Sequence, residues 1–104
     1  MVKEYNILIS SVGGQGGITL ARVIANAAMS MGLNLRVGET LGMAQRGGAV
    51  QSHVRLGEDV HGPLIPSGGA DVLLALEPSE AVRVSKYLGP RTRAIVNALS
   101  LIHI

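Results

Sequence analysis

Near the start of the chain, Ile7-Leu8-Ile9 forms a short apolar run rich in β-branched residues. It leads through Ser10-Ser11-Val12 into Gly13-Gly14-Gln15-Gly16-Gly17, and a helical period follows at once. A buried strand, a glycine-rich reversal and a helix in immediate succession constrain the fold more than any other feature of the sequence. In the helical stretch, Leu20, Val23, Ile24, Ala27, Ala28 and Met31 recur at a spacing of three or four and make one apolar stripe. Gly32 stands where a residue just past a helix end belongs. Leu33 to Glu39 alternates and reads as a second strand. Strand, helix, strand is a βαβ unit, expected to be right-handed and parallel.

The rest of the chain continues in the same style. Thr40 to Gly48 has neither period. Ala49 to Leu56 alternates, with Val50, Val54 and Leu56 on one face and Gln51, His53 and Arg55 on the other, which predicts an outer or partly covered strand with one wet face. Val60 to Gly69 reads as loop, with a short edge strand near Val60-His61. Asp71 to Glu77 is the most apolar strand candidate and is expected to be central. Pro78-Ser79-Glu80 has the composition of a helix first turn, Gly89-Pro90 of a helix stop, and Ala94-Ile95-Val96 of a last strand. The order β-α-β-β-β-α-β indicates an α/β class. We expect a Rossmann-like three-layer α/β/α architecture around a mostly parallel sheet.

Composition narrows the function. At 104 residues the chain is one domain, and 47% hydrophobic against 15% charged residues excludes intrinsic disorder. So little charge hints at a body that rests against another surface. Aromatic residues make up 2%, too few for a base-stacking platform, and a net charge of +2 without a basic run argues against a phosphate-backbone binder. With no Cys, these residues cannot make a disulfide, a thiolate zinc site or a cysteine-ligated iron–sulfur cluster. His53, His61 and His103 have no metal-ligand spacing. No apolar run approaches the ~18 residues of a membrane span and the start lacks a signal-peptide core, so a cytoplasmic protein is expected.

Two segments carry candidate chemistry. Ser11-x-Gly13-x-x-Gly16 fits the G-x-G-x-x-G dinucleotide fingerprint except at its first position, and Glu39 stands where an acid could take a ribose hydroxyl. Gly13, Gly14, Gln15 and Gly16 can cradle a phosphate at the helix start, or can serve only a tight turn and close packing. The second segment is Gly42-Met43-Ala44-Gln45-Arg46-Gly47-Gly48. In a parallel sheet it leaves from the same edge as the glycine turn and the Glu77-Pro78-Ser79-Glu80 loop, so Gln15, Arg46 and Glu77 can converge there. Gln45, Arg46 and Gly47 are expected to meet a ligand or a partner, Arg46 through a planar fork suited to phosphate or carboxylate. His53 and His61 read as surface residues, and Glu77 and Glu80 as acids that serve a helix dipole. No catalytic residues and no metal site are expected.

The end of the chain reads differently. Leu99-Ser100-Leu101-Ile102-His103-Ile104 is the translation of CTG-TCT-CTT-ATA-CAC-ATC, a transposase adaptor end used in sequencing libraries. We expect residues 1–98 to be a partial domain and residues 99–104 a non-native tail.

Several motifs in order resemble a known family. Val12-Gly13-Gly14-Gln15-Gly16, Glu39-x-x-Gly42-Met43-Ala44-Gln45-Arg46-Gly47-Gly48, Ser52-His53-Val54-Arg55, Pro63-Leu64-Ile65-Pro66 and Ala70-Asp71-Val72-Leu73-Leu74-Ala75-Leu76-Glu77-Pro78 resemble the gamma-type domain of 2-oxoacid:ferredoxin oxidoreductases. The resemblance runs from about Asn6 to Asn97. Within the family, Met-Ala-Gln-Arg-Gly-Gly is most similar to the beta subunit of the indolepyruvate branch. Ser11 stands where the family usually has Gly, and Gly17 where it usually has a branched apolar residue.

The resemblance implies oxidative decarboxylation of a 2-oxoacid, here an arylpyruvate, with coenzyme A as co-substrate and ferredoxin as electron acceptor. It implies thiamine diphosphate and iron–sulfur clusters on a large alpha subunit, none of them bound by this chain alone. The gamma-type domain itself is implied to be a Rossmann-like unit packed on the catalytic domains at the coenzyme A cleft. Two other readings remain open at this point: a free-standing dinucleotide-binding module and a nucleotide-sensing regulatory domain.

Overall fold

The computed structural model describes residues 4–12, 16–41, 49–57, 62–76 and 84–97. Among them β1 is Tyr5–Val12, α1 Gly17–Ser30, β2 Leu35–Leu41, β3 Ala49–Leu56, β4 Ala70–Ala75 and β5 Leu88–Val96, with a 3₁₀ turn over Ser85–Tyr87. The strands form one sheet in the order β2-β3-β1-β4-β5. β1 pairs parallel with β4, and β4 with β5. β3 runs antiparallel to both β1 and β2.

The α/β class is as expected, but the pairing corrects its detail. β1, β2, β4 and β5 share one direction, yet β3 lies between β1 and β2 and turns half of the sheet antiparallel. The expected βαβ unit is therefore split by an inserted strand. That placement also overturns the wet face assigned to β3. As an interior strand it is covered on both sides, and Ser52, His53, Val54 and Arg55 are all buried.

α1 packs on β3, β1 and β2 through its smallest residues. Gly17, Ala21, Ala25 and Ala28 form the buried seam, with Leu20 and Ile24 alongside over Ile9 and Val54. Small side chains let the helix backbone approach the sheet closely, whereas Val23 is 58% and Met31 73% exposed. The predicted stripe is thus rotated. Apolar bulk marks the helix shoulder, and the absence of bulk marks its contact. The helix stops as predicted: Gly32 donates to the Met29 carbonyl and Leu33 to the Ala28 carbonyl, which satisfies the last turn.

On the opposite face Leu8, Leu73, Ala75, Val84, Ile65 and Tyr87 make a second core. The predicted helix beginning at Pro78 and the short strand near Val60-His61 fall outside the described residues. Gly89-Pro90 stops no helix: both residues lie within β5. Between Leu88 and Arg93 that strand bulges away from β4, where Thr92 accepts from the Gly89 N–H and donates to the Ala70 carbonyl. A proline is tolerated at this place because β5 bulges out of the ladder here and is at the edge among the described strands.

Candidate functional site

Strand direction assembles one functional edge. β1 ends at Val12, β4 at Ala75 and β5 at Val96, and the ladders continue through Leu76 N–H to the Ser10 carbonyl and Asn97 N–H to the Ala75 carbonyl, both at 2.8 Å. β2 ends at Leu41, which pairs with Val50 where β3 begins. α1 starts from the same edge. The strand ends that bracket residues 13–15, 42–48 and 77–83 therefore lie together, as expected for the C-terminal edge of such a sheet. Gly13, Gly14, Gln15, Gln45, Arg46, Gly47, Glu77 and Glu80 themselves lie outside the described residues.

Gly16 is described. Its φ of +87° places it in the left-handed region at the N-cap of α1, and a Cβ there would meet nothing within 4 Å. Backbone conformation, not crowding, selects glycine at this position. No side chain caps the helix and no acid stands in its first turn. The adjacent Gly17 has the opposite reason. A Cβ on it would run into Ser11 Oγ. Ser11 and Gly17 are the two positions at which the turn departs from the resembling family, and they face each other across one contact. A larger residue on β1 is matched by a smaller one on α1.

Glu39 is exposed near the end of β2, on the face that carries α1. Because β3 intervenes, Glu39 is two strands from β1, so it stands about 5 Å farther from the glycine turn than in an uninterrupted βαβ unit. That separation weakens the ribose contact on which the dinucleotide fingerprint depends.

The polar residues of β3 correct the sequence reading most clearly. His53, expected at the surface, is 0% exposed. Its Nδ1 accepts from the Ile65 N–H at 3.0 Å, and its ring meets Tyr87 edge to face at 5.1 Å. Burial, the neighbouring Arg55 charge and then Lys86 push its pKa down to about 4. The ring is therefore neutral at pH 7, with its proton on Nε2. Arg55 lies beside it. Arg55 donates to the Gly62 carbonyl at 2.9 Å, the Leu64 carbonyl at 3.1 Å, Asn6 Oδ1 at 3.0 Å and Glu4 Oε2 at 2.7 Å. Asn6 completes the set by donating to Glu4 Oε2 and the Gly69 carbonyl, each at 2.7 Å. Donation from Asn6 and Arg55 holds the Glu4 carboxyl below the usual carboxylate range. Arg55, Asn6 and Glu4 satisfy one another while the buried His53 Nε2 finds no hydrogen-bond partner among the described residues, and the network clamps the 62–69 segment. Sequence reasoning missed it because alternation reports polarity and not destination. His61 lies outside the described residues.

At the opposite edge, Tyr5, Leu33, Leu56 and Gly57 line an open apolar groove of about 270 Å³. Among the described residues no three of His, Cys, Asp and Glu come together, and no helix is long and apolar enough to cross a membrane.

Comparison with known proteins places this geometry. The family described as pyruvate ferredoxin/flavodoxin oxidoreductase matches residues 6–101. A curated protein of Archaeoglobus fulgidus named indolepyruvate oxidoreductase subunit IorB is 56% identical over 99 residues, which are 95% of this chain and 49% of that protein. The chain thus spans about half the length of that relative. Among solved structures, pyruvate oxidoreductase subunit PORC of Thermotoga maritima superposes with a TM-score of 0.74 at 19% identity, over 97% of this chain and 53% of that one. A 2-oxoglutarate:ferredoxin oxidoreductase of Magnetococcus marinus, solved with 2-oxoglutarate, coenzyme A and succinyl-CoA bound, gives a TM-score of 0.80 at 21% identity over 100% of this chain and 18% of that one. At those identities the two structures establish the fold alone. The family match over nearly the whole chain and the identity to the archaeal relative establish more: this chain belongs to the pyruvate ferredoxin/flavodoxin oxidoreductase family.

Proposed function

We propose that the chain is part of the subunit without bound cofactor in a 2-oxoacid:ferredoxin oxidoreductase, acting on indolepyruvate or a related arylpyruvate. Residues 1–98 are a partial gamma-type domain and residues 99–104 are foreign to it. The single observation that carries the reading is the 56% identity to an indolepyruvate oxidoreductase subunit. The reaction breaks the bond between the carboxylate and the 2-oxo carbon, releases carbon dioxide, joins the acyl carbon to the sulfur of coenzyme A and passes two electrons to ferredoxin. Thiamine diphosphate and iron–sulfur clusters supply the carbanion and redox chemistry from a large alpha subunit. That division suits a chain without a cysteine. The complex works in the cytoplasm.

In this reading the chain positions rather than reacts. Gly13, Gly14, Gln15 and Gly16 on one side, with Gln45, Arg46 and Gly47 on the other, belong to segments bracketed by strand ends at one edge. Arg46 supplies a cation for the coenzyme A phosphates or for a carboxylate of the partner. The inserted β3 counts against a free-standing dinucleotide module, because it distances Glu39 from the glycine turn.

The test is Arg46→Ala in the full complex. The KM for coenzyme A is expected to rise about ten-fold with kcat little changed, or the alpha subunit is expected to dissociate. An intact complex with unchanged coenzyme A dependence rejects the assignment of Arg46. NAD or FAD binding by the full-length polypeptide on its own, without an associated subunit, rejects the functional reading as a whole.

A further inference from the structure

The segment from Gly62 to Gly69 is built the opposite way from most surface loops. Its backbone is held from beneath. Arg55 donates to the Gly62 and Leu64 carbonyls, His53 accepts from the Ile65 N–H, and Asn6 donates to the Gly69 carbonyl. The segment also lies directly on the sheet. A Cβ on Gly38 of β2 would meet Pro63 Cβ at 2.8 Å and the Pro63 carbonyl oxygen at 2.9 Å. Ile65 is buried in the core of this face. Its neighbours Pro63, Leu64 and Pro66 are exposed, Leu64 at 44%. No residue from Gly62 to Ala70 carries a charge.

A loop that only joins β3 to β4 needs none of this. Surface loops are ordinarily mobile and variable. Here Arg55 and His53 are taken out of water to fix a stretch of backbone. A charge buried for that purpose serves a single conformation better than it serves stability. Pro63 and Pro66 fix two φ angles in addition. The product is an apolar ridge that has its shape before anything touches it, which lowers the ordering cost of association.

Position and charge say what the ridge meets. Gly38, beneath Pro63, stands three residues before Leu41 at the end of β2, about 10 Å along the strand. Residues 42–48, which carry Arg46, begin there. A body that engages Arg46 and extends along β2 on the face away from α1 meets Leu64 next. An uncharged ridge gives no compensation to a charge it desolvates, so the surface that fits it is apolar.

We propose that Pro63, Leu64 and Pro66 form a docking ridge for the large subunit of the complex, which receives Leu64 in an apolar pocket. This rests on the reading of the chain as part of a 2-oxoacid:ferredoxin oxidoreductase.

Leu64→Glu tests it in the full complex. Val23→Glu, on the outer side of α1 and 58% exposed in the parent chain, is the reference for an added charge. Leu64→Glu is expected to weaken association with the large subunit at least about 100-fold, and Val23→Glu to change it less than about three-fold. No effect at Leu64, or an equal effect at both positions, overturns the proposal and leaves the functional reading standing. An unaltered small subunit that isolates without any large subunit rejects that reading, and the proposal with it. Loss of self-association in Leu64→Glu, with affinity for the large subunit intact, gives the ridge to a second copy and also overturns it. Should Leu64→Glu fail to fold, hydroxyl-radical footprinting of the unaltered protein decides. Leu64 is expected to be oxidised at least about five-fold more slowly in the complex than in the free small subunit, while Val23 keeps its rate. Equal rates at Leu64 overturn the proposal. So does a Leu64 already shielded in the free subunit, because the chain then covers its own ridge.

Discussion

Over one face of the sheet, Ala21, Ala25 and Ala28 bring a helix down onto β1 and β3 with almost no side chain between them. Over the other face, His53 and Arg55 reach up from β3 and hold the backbone of a loop by its amide and carbonyl groups. The first closure works by shape, and it buries Ser52 Oγ without a hydrogen-bond partner among the described residues. The second works by hydrogen bonds from the buried His53 and Arg55, and each matters because those two side chains have been taken out of water. The two faces should therefore fail differently: the helix face through added volume, the loop face through a lost donor or a gained proton.

Arg55→Met removes four donated bonds and leaves Glu4, Asn6 and two carbonyls without them. A loss of about 4 kcal/mol in urea unfolding is expected. A loss under about 1 kcal/mol would mean that the loop face is held by its apolar contacts and that the contrast between the faces is wrong.

Protonation of His53 attacks the same clamp. Its folded pKa of about 4 lies below the ordinary 6.5. The stability it contributes is complete above pH 6.5, declines as pH falls from there, and is gone below about pH 4, a change on the order of 3 kcal/mol. His53→Gln keeps an acceptor for the Ile65 amide and should flatten stability between pH 4 and 6.5. Persistence of the slope in that variant would assign it to another group. Glu4, whose folded pKa is lowered, loses its contribution as pH falls below the ordinary carboxylate value, so its effect lies mostly below that window.

Ala21→Leu tests the shape-closed face. Ala21 is 1% exposed in contact with Ile9 and Val54, and the added volume is expected to cost about 2 kcal/mol. The smallest effect sharpens the comparison most. Gly17→Ala should cost about 1 kcal/mol by pressing on Ser11, and Ser11→Gly in the same chain should recover most of it. Additive losses in this cycle would show that the two positions are not coupled.

Local pattern made much of the fold legible. The strand at Ile7-Leu8-Ile9, the helix after the glycine turn with its end at Gly32, and the boundaries of β3 at Ala49 and Leu56 agree with the structure. What escaped was non-local. Nothing in the alternation of Gln51, His53 and Arg55 tells that their strand lies between β1 and β2, where a polar side chain must find internal partners. Counting apolar bulk rotated α1, because Val23 and Met31 outweigh the alanines that make the contact. Gly89-Pro90 looked like a helix stop because the same residues suit a bulge in an edge strand. For the site, strand direction was legible and puts the bracketing ends at one edge. Glu39 was misjudged by one strand spacing, since the inserted strand leaves no local trace.

The position of β1 has a consequence in time. It is made first, yet both of its neighbours come later in the chain: β3 completes one side and β4 the other. Asn6 and Asp71, joined at 2.8 Å in the folded molecule, are 65 residues apart. At about 5–20 residues per second, the ribosome needs roughly 3–13 s to deliver the second neighbour after the first strand has emerged. Throughout that interval Ile7, Leu8 and Ile9 have no partner on at least one side, and the nascent chain depends on whatever shields them.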